Sequence, residues 1–171
     1  MTDHFIRRTL RSEDLSASDQ GELIWLNVPE GVTPVEHDLM KGRAQAELAR
    51  QSGKTLELRA ALDRLERSVK PDSSDVDAWL DLASLRLLLG DTGTARIAAD
   101  TAFQKGLTLG RAALGAAEAR FTDGDPKAAA KALEQAERIE GVTIKSQMLA
   151  AKIAMIQGDR DGFETRLSAL D

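Results

Sequence analysis

Three Gly-Asp pairs, Gly90-Asp91, Gly124-Asp125 and Gly158-Asp159, recur at a constant step of 34 residues. The same step relates Ala83, Ala117 and Ala151, and also Leu82, Ala116 and Ala150. Ala95 is matched by Ala129, and Ala102 by Ala136. A unit of this length cannot bury its apolar face alone, so a fixed period with small residues in register predicts stacked units sharing one continuous core. Glycine adopts the left-handed conformation that closes a helix. The aspartate after it accepts backbone N–H bonds at the start of the next helix. Asp125-Pro126 adds a proline pre-shaped for the first helical position. Each unit therefore reads as two helices around a Gly-Asp turn. The expected helices are about 75–89 and 92–105, then 109–122 and 126–139, then 143–157 and 161–170.

Composition supports this reading. Only 4% of the 171 residues are aromatic and none is tyrosine. Alanine and leucine, the strongest helix formers, are abundant. Small residues let helix backbones approach closely, so the core is expected to be thin and layered. The length suits one domain with a short appendage.

The stretch from Trp79 to Ala102 resembles the tetratricopeptide repeat, through Trp79, Leu82-Ala83, Gly90, Ala95 and Ala102. The second unit keeps Ala117, Ala129 and Ala136 but has Ala113 in place of the tryptophan. The third keeps Ala151, with Gln147 in place of the tryptophan and Phe163 in place of a small residue. The likeness spans about residues 75–171 and weakens towards the C-terminus, as terminal repeats do. It implies an all-α fold, a right-handed α-solenoid of antiparallel helix pairs.

A further pair is expected upstream. Thr33, Pro34 and Glu36 make a capping-box start for a helix to about Gln51, which Gly53 ends. A second helix follows over about 55–69, with Leu58, Leu62, Leu65 and Val69 on one stripe. Residues 70–74 form a linker whose Ser74 is expected to cap the next helix. This pair departs from the small-residue places of the later units and reads as a degenerate first repeat or a capping hairpin. The chain thus divides into a short irregular arm, residues 1–32, and a repeat domain, residues 33–171, with helix pairs at about 33–70, 75–108, 109–142 and 143–171.

Several classes of function are not expected. The formal net charge is −5, with basic residues scattered among acidic ones, so nucleic acid is not an expected partner. No run approaches the roughly 20 apolar residues of a membrane span, and the polar stretch around Arg7-Arg8 lacks the apolar core of a signal peptide. With Met1 as the natural start the cytoplasm is the expected location. A piece cut from a longer periplasmic or membrane-anchored protein would carry the same sequence. There is no cysteine, and the two histidines, His4 and His37, have no second ligand at helical spacing. No nucleophile elbow, phosphate loop or dinucleotide fingerprint is present. Neither catalysis nor a metal or cofactor is expected.

The resemblance instead implies binding of another protein on the concave surface lined by the first helix of each pair. It places Leu80, Ser84 and Leu87 there in the first unit, and Arg111, Leu114, Glu118 and Phe121 in the second. Lys145, Met148, Lys152 and Met155 follow in the third. Such a lightly charged apolar groove suits a partner's amphipathic helix or an extended peptide with spaced anchors, and methionine adapts to varied shapes. Apolar stripes at helical spacing are also what a buried core requires. The apolar segment Ile24-Trp25-Leu26 of the arm could fold back to fill the groove, or join protomers of a homo-oligomer or larger assembly. Leu80, Ser84, Gly115 and Leu149 occupy places where chaperone-binding members grip a terminal carboxylate, and only Lys145 agrees, so no such clamp is expected. A lesser likeness, over Leu58 to Leu82, is to the repeat region of bacterial cytochrome c biogenesis proteins that hold apocytochrome.

Overall fold

The computed structural model describes residues 32–169, which form eight helices and, among the described residues, no strand. The chain divides into two compact units at Ser73/Ser74. The arm, including Ile24, Trp25 and Leu26, and the expected helix end at Leu170 lie outside the described residues.

The first unit pairs α1 (Pro34–Ser52) with α2 (Thr55–Ser68). Thr33 Oγ1 accepts from the Glu36 N–H at 3.3 Å, and the Thr33 N–H donates to Glu36 Oε2 at 2.8 Å. These bonds close the expected capping box, and the Thr33 N–H and hydroxyl, both donating to the Glu36 carboxylate, hold it below its usual range. Gly53, at φ 64°, ends α1 in the left-handed conformation. Leu58, Leu65 and Val69 are buried with Ala61, whereas Leu62 is only half-buried.

Counting back from the closing glycines, Gly53 and Gly90, Gly42 occupies the place of Trp79 and Leu65 the place of Ala102. A Cβ on Gly42 would stand 3.0 Å from Leu65 Cδ2. Here the small residue stands on the first helix of the pair and the large one on the second. By the same count Ala46 keeps the small-residue place of Ala83 and is fully buried, so the pair retains part of its successors' pattern.

The second unit contains three pairs: α3 (Val76–Leu88) with α4 (Thr92–Lys105), α5 (Gly110–Thr122) with α6 (Pro126–Glu140), and α7 (Ile144–Gln157) with α8 (Arg160–Ser168). The Gly-Asp turns behave as their chemistry requires. Gly90, Gly124 and Gly158 have φ of 82°, 87° and 73°. Asp91, Asp125 and Asp159 accept from the N–H groups of Thr94, Ala128 and Gly162. One cap differs from expectation: Asp75, not Ser74, caps α3 by accepting from the Ala78 N–H at 3.1 Å. A carboxylate at a helix N-terminus gains from the helix dipole as well as the hydrogen bond.

Ala83 and Ala95 are buried where α3 meets α4, and Ala117 and Ala129 where α5 meets α6. One cluster joins α5, α6 and α7 through Ala116, Ala117, Ala129, Ala132, Leu133, Leu149, Ala150 and Ile153. At the tryptophan place Trp79 packs against the Val76–Ala102–Ala112 cluster, and Ala113 is fully buried. In the third pair Gln147 Oε1 instead accepts from Arg166 Nη1 at 3.1 Å, and the same guanidinium meets Glu137 Oε1 at 3.2 Å. Phe163 and Arg166 are half-buried, and no residue of α8 is fully buried.

Candidate functional site

The first helices of the second unit pack on one another, α3 on α5 and α5 on α7, and the second helices do not match these contacts. The unit therefore curves with α3, α5 and α7 on its inner side, as stacked helix pairs do.

The 34-residue step arranges the inner side chains into four rows crossing the three helices. Asp77, Arg111 and Lys145 form the first row, and Leu80, Leu114 and Met148 the second. Ser84, Glu118 and Lys152 form the third, and Leu87, Phe121 and Met155 the fourth. Along each helix these positions are separated by three, four and three residues, or roughly 4.5–6 Å per step, and share a face. Polar and apolar rows alternate.

None of the eleven positions expected to line the groove is buried. Leu80, Ser84, Leu87, Leu114 and Phe121 are half-buried; Arg111, Glu118, Lys145, Met148, Lys152 and Met155 are exposed. Leu80 lies across Gly115, where a Cβ would stand 2.5 Å from Leu80 Cδ2. Leu114 and Phe121 rest on the α5–α6–α7 cluster. These residues brace the helices and still present apolar surface. Met148 and Met155, with 48% and 61% of their surface exposed, are far more open.

The expected lining omitted Asp77, whose carboxylate accepts from Arg111 Nε at 2.8 Å and links α3 to α5. Stepping back 34 residues from Arg111 would have found it. The N-terminus of α5, which has no side-chain cap of its own, receives Glu140 Oε1 at 3.2 Å from the Arg111 N–H.

Glu118 is the electrostatic centre of the face. Desolvation by the surrounding protein raises its carboxyl above the usual range, although Lys145 and Lys152 on α7 pull it down. The two effects oppose each other and desolvation prevails. A carboxylate whose folded pKa is raised favours folding only while protonated, so this contribution is present in acid and lost as pH rises through the folded value. Glu118→Gln is therefore expected to stabilise the protein at neutral pH, by no more than about half a kcal/mol after solvent screening. The gain should vanish below the ordinary carboxylate range. Urea unfolding of both proteins at the two pH values checks this, and a neutral-pH loss would contradict it.

Among the described residues no group of three or more His, Asp or Glu side chains is placed to hold a metal, and no helix is long and apolar enough to cross a membrane. His37, in the first turn of α1, is buried at 9% exposure.

Curved stacking of antiparallel helix pairs, small residues at the crossings and a first-helix inner face define the tetratricopeptide-like helical repeat fold. Solved structures of such repeat proteins share it. The crystal structure of MamA matches with a TM-score of 0.65 and 17% identity, over 89% of this chain and 85% of that one. The Yersinia enterocolitica type III secretion chaperone SycD, in complex with a peptide of the translocator YopD, matches with a TM-score of 0.57 and 17% identity. That match covers 84% of this chain and 100% of that one. PcrH in complex with the chaperone-binding region of PopD matches over the same shares, with a TM-score of 0.56 and 19% identity. No family model and no curated protein matches the sequence.

Proposed function

We propose that the chain is a protein-interaction adaptor that binds a segment of another protein on the inner face of α3, α5 and α7, without catalysis of its own. The observation that carries this reading is the pair of apolar rows, Leu80–Leu114–Met148 and Leu87–Phe121–Met155, which run across one face of α3, α5 and α7 with none of the six side chains buried. Aligned apolar side chains of this kind suit anchors spaced along a peptide or helix. The SycD and PcrH structures, each solved with a segment of a partner protein, support it.

Leu114→Glu or Met148→Glu places a charge where an apolar anchor must be desolvated. Loss of one such anchor contact weakens binding on the order of tenfold or more. Either change is expected to abolish partner capture in affinity pull-downs read by mass spectrometry, while helical circular dichroism stays unchanged. Capture undiminished by both substitutions in a folded protein would refute the reading.

A further inference from the structure

The inner face is polarised in charge. Its polar positions carry one carboxylate on α3 (Asp77), one charge of each sign on α5 (Arg111 and Glu118) and two ammonium groups on α7 (Lys145 and Lys152). Asp77 and Arg111 neutralise each other at 2.8 Å. Lys145 and Lys152 are the only charged side chains in α7, and both are exposed. Glu118 faces both, and one carboxylate set against two ammonium groups leaves one net positive charge among these three side chains. This patch belongs to a chain whose net charge is −5.

Lys145 and Lys152 flank Met148, three and four residues away along α7. A partner residue seated on Met148 would therefore have an ammonium group to either side. Ion pairs formed beside such apolar surface lie in a lower effective dielectric than bulk water and are correspondingly stronger. The acidic remainder of the surface repels an acidic segment and so steers it towards this patch.

Resting on the reading of this face as a protein-binding groove, we infer that its α7 end selects acidic peptide segments, in which an apolar residue seated on Met148 is flanked by carboxylates that meet Lys145 and Lys152. Glu118 tempers this preference by occupying part of the lysines' field.

The test is selection of randomised displayed peptides on the full-length chain and on the Lys145→Glu/Lys152→Glu double variant. Leu114→Gln and Met148→Gln serve as charge-neutral groove controls, with helicity confirmed for each. Peptides enriched on the native chain should combine apolar residues with flanking Asp or Glu and lose about tenfold in affinity on the double variant. Added salt should narrow that gap, and the double variant should enrich basic sequences instead. Groove-dependent peptides without acidic bias, or with a bias that survives charge reversal, would overturn the inference and leave the groove reading intact. Enriched peptides indifferent to both glutamine controls, or no enrichment at all, would remove the groove reading and this inference together.

Discussion

Ala116→Leu should lower the stability of the second unit by about 1–3 kcal/mol or more, the cost of forcing extra methylenes into a closed core. Ala116 has no exposed surface and belongs to the cluster where α5 meets both α6 and α7. Four of the seven other buried residues there are alanine, so the helix backbones lie close and little space is left for a longer side chain. Larger residues at this crossing would have to push helices apart, which disturbs every row of the inner face at once. The urea midpoint of the variant, with Gln135→Leu on the exposed side of α6 as control, measures the effect. A loss no greater than that of the control would mean the layers are looser than their burial implies.

In the first unit the largest expected effect comes from the opposite change. Leu65 is fully buried and lies against Gly42. Truncation to alanine removes its transfer free energy and leaves a cavity, together about 2–5 kcal/mol. The contact makes a second, sharper test possible. Gly42→Ala in the native background sets a Cβ 3.0 Å from Leu65 Cδ2, closer than such contacts normally come, against roughly 1 kcal/mol of helix propensity gained. Combined with Leu65→Ala the same methyl group meets no such obstacle. Gly42→Ala should therefore be more favourable in the truncated background than alone. Native-state hydrogen exchange over α1 and α2 reads both changes locally, and strict additivity would show that the two residues do not share that space.

The helix boundaries were largely legible because their signals are local. A Gly-Asp turn needs only the conformational freedom of one glycine and the reach of one carboxylate, and all three turns close as their residues dictate. The cap of α3 was misread by one position, because Ser74 and Asp75 are both competent and the backbone path decides between them. The inner face was legible by register: stepping 34 residues places each lining residue, and Asp77 escaped only because the step was not carried back from Arg111. What local signals could not reveal are contacts that depend on how two helices cross. The close approach of Gly42 to Leu65 belongs here, as does the tie from Arg166 to Gln147 and Glu137. Each involves residues distant in sequence whose types are individually unremarkable on an amphipathic helix.

The last pair has thermodynamic significance beyond its geometry. In a stacked array each unit draws stability from its neighbours, and α8 contributes no fully buried side chain to the exchange. Its opening free energy therefore lies at the low end of the molecule's spectrum, where partial unfolding is reached by ordinary thermal fluctuation. The open methionines and both lysines of the inner face stand on α7, the helix that α8 backs. An occupant of that surface that required the closed arrangement would stabilise it by mass action. Binding of the proposed partner and completion of the terminal repeat would then be a single equilibrium, and the apparent affinity would carry the folding free energy of the C-terminal edge.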